Sequence, residues 1–199
     1  MKRLILASGS PRRRELLADA GFAFEVAPPD VRETANRSLS LREVTIWNAT
    51  RKALAVSRSE GAAATLGADT LVALEGEVIG KPRDMVHARK ILASLQGQTH
   101  QVCTSVVICA AGGANALSFC VLSHVRFRTL TEEQIGSYLG AINPLDKAGA
   151  YAAQGRGSEI IDRIEGSFTN VVGLPMDETI RALRRFGVVP RNGARGRLR

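Results

Sequence analysis

Apolar and polar positions fall into blocks whose lengths separate strands from helices along most of the chain. "RLILA" (3–7) is a short unbroken apolar run suited to a buried strand. A helix follows, with Ser10 at its N-cap, Pro11 at its first position and Gly21 as its stop. "FAFEVAP" predicts a strand ended by Pro28 and Pro29, and 29–38 reads as a polar loop. Ser40 and Glu43 have capping-box spacing and open a helix toward Ser57. "ATLGADTLVAL" (64–74) predicts a strand, "EGEV" a turn, and "IGKPRD" a loop whose Asp84 caps a helix ending near Gly97. Two long β-type runs, "HQVCTSVVICA" and "ALSFCVLSHVRFRTL", are joined by "AGGAN" as a hairpin. Thr131 and Gln134 form a second capping box, for a helix reaching Leu139. The segment 143–158 reads as a Gly/Ala-rich loop, "EIIDRIEG" as a strand and "PMDETIRALRRFG" as a closing helix.

Early alternation of strand and helix with a central hairpin predicts an α/β fold with a mixed, twisted central sheet flanked by helices. The expected organisation is one domain, residues 1–187, in two lobes with a cleft between them, followed by a basic tail, 188–199. At 199 residues and 45% hydrophobic content, the chain can bury a sizeable core. No apolar run is long enough to span a bilayer, and Leu4–Leu6 is too short for a secretory signal. Cys103, Cys109 and Cys120 include no CxxC pair and read as buried free thiols, which suits a cytoplasmic location. His87, His100 and His124 have no zinc spacing.

The net charge of +8 suggests a nucleic-acid partner until it is located. From Arg181 onward there are seven arginines and no acidic residue; removing them from the 27 basic residues leaves 20 against 19 acidic ones. The body is therefore near neutral, and nucleic acid is not expected as a partner beyond weak contact by the tail.

Candidate chemistry begins at "LASGSPRRRELL" (6–17), where a strand meets a helix start that exposes backbone N–H groups. Arg12, Arg13 and Arg14 add planar donors suited to phosphate, although successive helical residues point about 100° apart and not all three can reach one ligand. A solvated helix face is the competing reading. Asp69 in "GADT" is a carboxylate inside an apolar segment, which needs a cation partner or else belongs to a turn. Thr70 either donates to a ligand or supports the strand. Lys81 in "GKPRD", Lys52 on the capped helix and Glu33 in the polar loop complete a basic-plus-acidic set, with Asp146, Lys147 and Gln154 on the small-residue loop. With no Ser-His-acid or Cys-His set evident, this inventory points to metal-dependent chemistry on phosphates.

"LASGSPRRRELL", "GADTLV", "GEVIGKPRD", "LQGQTHQVCT", "PLDKAGAYAAQG" and "GSFTNVVGLP" resemble, in order and spacing, the Maf family of nucleoside triphosphate pyrophosphatases. The resemblance covers Leu4 to Leu183. It implies hydrolysis between the α- and β-phosphates to a monophosphate and pyrophosphate, with a divalent cation (Mg²⁺ or Mn²⁺) as cofactor. It further implies that Asp69 is the proton acceptor, that Ser8, Arg13, Lys52 and Lys81 bind substrate, and that Glu33 and Asp69 hold the metal. Arg12, Thr70 and Gln154 resemble the dTTP/UTP branch, and a homodimer is implied. The alternatives are a 7-methyl-GTP or broad nucleotide preference, or a non-enzymatic nucleotide-binding regulator of division. Two blocks depart from the usual pattern. "WNATRKA" stands where Leu-Ala-Arg-Glu-Lys-Ala is more usual, placing Arg51 before Lys52, and "LQG" replaces "LSG".

Overall fold

The computed structural model describes residues 2–191 except 35, 37, 59–62, 111, 112 and 114. Strands are β1 (Leu4–Ala7), β2 (Glu25–Val26), β3 (Ala64–Leu74), β4 (Glu77–Ile79), β5 (Thr99–Cys109), β6 (Leu117–Phe127) and β7 (Ile161–Glu165). Helices are α1 (Pro11–Asp19), α2 (Leu41–Ser57), α3 (Met85–Leu95), α4 (Glu132–Gly140), α5 (Gly157–Ile160), α6 (Phe168–Val172) and α7 (Met176–Arg185). They build the expected α/β fold around one seven-stranded mixed sheet, ordered β2-β1-β3-β5-β6-β7 with β4 also on β3.

The capping chemistry read from the sequence is present. Ser40 and Glu43 form a reciprocal box on α2, Thr131 and Gln134 another on α4, and the Asp84 side chain accepts from His87 N–H. Ser10 occupies the N-cap of α1 without a side-chain cap bond, and its N–H donates to the Ser8 hydroxyl. Local pattern misled elsewhere. The strand expected at 22–28 shrinks to Glu25–Val26, since Phe22 turns into the core. The turn expected over 75–78 tightens to Glu75 and Gly76, with φ of 50° and 86°, and releases Glu77 onward as β4. Residues 157–160 form a helical turn before β7, and α6 is an extra short helix capped by Ser167. β5 and β6 pair antiparallel as expected, while 111, 112 and 114 of the connecting "AGGAN" lie outside the described residues. So do residues 192–199 of the basic tail. Packing continues past α7: Val188 is buried in the core and the Arg191 amide donates to Gly21 O.

Two clusters cover opposite ends of one sheet face. Leu4, Leu6, Leu66, Ala68, Val106 and Ile108 pack under α1 and α7. Val72, Val102, Val125 and Phe127 pack under α3, α4 and Tyr151. The side-chain period of two places Thr70 and Thr104 on the same face, between the clusters, and turns Asp69 to the other face with Ser105 and α2. There α2 lies almost on the backbone of β3. A Cβ at Gly67 would sit 2.5 Å from Ala49 O and 2.6 Å from Ala53 N, so only glycine permits this approach. Cys103 and Cys109 are buried thiols; Cys120, expected to be buried, is half-exposed on the less completely covered β6.

The second cluster contains a buried imidazole. His100 bonds Tyr151 Oη through Nε2 at 2.9 Å and packs edge-on against Phe127 and Tyr151. Burial lowers its pKa from 6.5 to about 4. Because the folded value is depressed, the unfolded chain takes up the proton first. The stability held by neutral His100 is complete above pH 6.5 and is lost as pH falls toward about 4. Chemical unfolding of the wild type and His100→Phe at pH 7 and pH 4 should show about 3 kcal/mol more loss in the wild type. Equal losses would exclude His100 as a source of acid sensitivity.

Candidate functional site

The edge of β3 changes partner in mid-strand. Parallel β1 covers it through Gly67, and antiparallel β4 covers it from Val72. Residues 68–71 have β5 on one side and neither β1 nor β4 on the other. A cleft of about 630 Å³ opens at this gap, within the range of small-molecule sites. It is lined by Ser8 to Arg13, Glu33, Asn48, Lys52, Asp69, Thr70, Lys81, Asp146 and Lys147, among others.

Asp69 lies at the gap with 3% exposure. Lys52 Nζ is 2.7 Å from Asp69 Oδ1 and 2.7 Å from Glu33 Oε1, and also donates to Ala68 O at 3.4 Å. Lys81 approaches Glu33 Oε2 at 3.6 Å. Two carboxylates and two ammonium groups thus converge on one wall. Burial of Glu33 opposes its ionisation, but Lys52, Lys81 and Arg13 outweigh that and hold its carboxyl below the usual glutamate range.

The three arginines of α1 separate as helical geometry requires. Arg14 is exposed. Arg12 lies on the cleft wall and reaches Asp146 Oδ2 at 3.1 Å; Asp146 is also paired with Lys147. Arg13 turns inward to 8% exposure and donates from Nε to Gly173 O, from Nη1 to Ser8 Oγ and from Nη2 to Thr70 Oγ1. All three acceptors are neutral. Burial pulls Arg13 below its usual pKa, and the nearby Asp69 charge opposes this. Thr70 continues the network to Thr104 Oγ1, and Thr104 donates to Asn170 O. Ser8, Arg13, Lys52, Asp69, Thr70, Glu33, Lys81 and Arg12 are therefore brought together. Gln154 is half-buried and does not line the cleft, although Ala152 and Ala153 do.

Asn48 was not among the expected site residues. It lies one turn before Lys52 on the same face of α2 and is 2% exposed. Its Nδ2 donates to Asp69 Oδ2 at 3.0 Å and Thr34 O at 3.1 Å, while its Oδ1 accepts Thr34 N–H at 2.9 Å. Arg51 donates to Arg32 O. Helix α2 thus grips the backbone on both sides of Glu33, and Asn48 fixes one oxygen of Asp69 as well. The i, i+4 spacing with Lys52 was the available signal. Asn48→Leu should lower kcat by about 10–100-fold through misplacement of Asp69 and Glu33. Steady-state kinetics check this; an unchanged kcat would make the amide a packing element only.

A family model described as Maf-like protein matches residues 3–186. The chain belongs to the Maf family. Among curated Maf relatives, a dTTP/UTP pyrophosphatase of Bacillus pumilus (strain SAFR-032) is 42% identical over 190 residues, 96% of this chain and 100% of the relative. A dTTP/UTP pyrophosphatase of Bacillus cereus (strain ATCC 10987 / NRS 248) is 42% identical, covering 94% of this chain and 92% of the relative. One from Bacillus anthracis (strain CDC 684 / NRRL 3495) is 41% identical, covering 94% and 97%. The Maf match spans β1 through α7 and so contains every cleft residue described above.

Proposed function

We propose that this chain is a nucleoside triphosphate pyrophosphatase acting on dTTP and UTP. The observation that carries the reading is the charge pattern of the cleft. Lys52 is held between Glu33 and Asp69 beside Arg13, a buried guanidinium whose direct partners are neutral. A buried cation with neutral partners favours an arriving anion, and guanidinium presents paired donors to phosphate oxygens. The names of the 41–42% identical relatives support the same substrates.

The donor set fits a divalent cation. Glu33 and Asp69 approach the same Lys52 nitrogen, and Mg²⁺ characteristically takes one or two carboxylates with phosphate oxygens and waters. Among the described residues no cluster of three or more His, Cys, Asp or Glu forms a cation cage, consistent with a site completed by substrate. Glu33 and Asp69 would hold Mg²⁺ or Mn²⁺, which would supply charge neutralisation for the phosphates.

Asp69 accepts a proton from the attacking water as its oxygen bonds to the α-phosphorus. The bond from that phosphorus to the bridging oxygen breaks, and pyrophosphate leaves with the electron pair. Asn48 and Lys52 keep the Asp69 carboxylate oriented. Arg13, Lys52 and Lys81 neutralise phosphate charge, while Ser8 holds the Arg13 guanidinium. Arg12 on the wall and Gln154, next in the chain to the wall residue Ala153, set base preference; Thr70 acts through Arg13. A homodimer follows from the family resemblance, and a cytoplasmic location suits the three free thiols. No described helix is long and apolar enough to cross a membrane.

A panel of nucleoside triphosphates with Mg²⁺ and pyrophosphate detection tests the substrate assignment. dTTP and UTP should turn over fastest. A maximum at 7-methyl-GTP, or a flat profile, would overturn the preference; tight dTTP binding without turnover at any metal concentration would favour a binding protein.

A further inference from the structure

Two thiols outside the cleft meet across the central sheet. In the β5–β6 register, Cys103 faces Leu122 and Cys120 faces Ser105, so the cysteines are diagonal neighbours on the α2 side. Their sulfurs are 2.7 Å apart. Neither cysteine lines the cleft. Cys103 is buried and also contacts Thr45 Oγ1 at 3.5 Å, whereas Cys120 is half-exposed.

Their surroundings are those of a reactive thiol paired with a resolving thiol. The exposed Arg42 in the first turn of α2 favours a negative charge on both sulfurs. The Cys103 hydrogen bond, aided by Ser105 and Arg42 against partial burial, lowers Cys120 from the usual thiol range. Cys103 is pushed up by the same contact and by burial. Solvent access falls on the Cys120 sulfur, with the buried Cys103 sulfur within contact distance. Cys109 is buried elsewhere, packed with Ala49, Ala53 and Val107.

We propose that Cys103 and Cys120 form a reversible redox site that closes to a disulfide when hydrogen peroxide reaches Cys120. The Cys120 thiolate attacks a peroxide oxygen, the O–O bond breaks, and the departing hydroxide takes a proton to become water. Cys120 is then a sulfenic acid. Cys103 sulfur attacks Cys120 sulfur, the S–O bond breaks, and the hydroxyl leaves as water with the Cys103 proton. Two thiols lose two electrons, and one peroxide is reduced to two waters. This inference is independent of the nucleotide reading of the cleft.

The test treats the full chain with hydrogen peroxide, blocks remaining thiols under denaturing conditions and maps the peptides by mass spectrometry. The expected result is a Cys103–Cys120 link within one chain, one blocked thiol at Cys109, and recovery of three thiols with dithiothreitol. Cys103→Ser should instead accumulate a dimedone-reactive sulfenic acid at Cys120, and Cys120→Ser should form no link. Three unchanged thiols, a link between two copies, or Cys120 sulfinic acid without the Cys103 link in the wild-type chain would overturn the proposal.

Discussion

Asp69→Asn should lower kcat for pyrophosphate release by about 10²–10⁴-fold while the fold survives. The substitution preserves shape and removes the group proposed to accept the water proton. The surrounding donors, Asn48 Nδ2 and Lys52 Nζ, would then face one amide oxygen that accepts and one NH₂ that only donates, so one of the two hydrogen bonds is lost. Lys52 retains Glu33 at 2.7 Å, and the β3–β5 ladder does not use the Asp69 side chain. Circular dichroism should therefore remain native. Activity within a factor of about three of wild type would place the base elsewhere, because even the low end of the general-base effect is larger.

Lys52→Met should be the more damaging change to the fold. Lys52 and Asp69 side chains are only 9% and 5% exposed, so removing the ammonium strands a buried carboxylate. Breaking such a pair costs about 3–5 kcal/mol. In a chain of this size that lowers Tm by about 2–4 °C per kcal/mol. Exposed Glu33 can return to water and contributes little to this loss. The double variant Lys52→Met/Asp69→Leu should recover much of the stability and none of the activity, because an apolar pair no longer needs charge compensation. Thermal unfolding beside pyrophosphate release separates the two effects. A Lys52→Met protein as stable as wild type would mean that the pair is hydrated.

The sequence made these elements legible where local chemistry determines them. The apolar run 64–74 is β3, and Ser40/Glu43 and Thr131/Gln134 are working capping boxes. Local pattern failed where tertiary contacts decide: Phe22 leaves its expected strand to enter the core, and α6 is five residues held by its Ser167 cap and contacts to its neighbours. The basic run on α1 could be recognised as a candidate, but its division of labour depends on partners far away in the chain. Arg13 finds Gly173 and Thr70, while Arg12 finds Asp146. Asn48 is not legible in the sequence because an amide on a helix carries no chemistry alone; its contact with Asp69 arises where Gly67 lets α2 descend onto β3.

The proposed reaction has water attack the α-phosphorus of a triphosphate bound in this cleft, so its oxygen must enter the monophosphate. Turnover of dTTP in water labelled with the heavy oxygen isotope, with both products analysed by mass spectrometry, tests it most directly. One labelled oxygen is expected in the monophosphate and none in pyrophosphate. Label in pyrophosphate, or release of orthophosphate with the diphosphate, would contradict it.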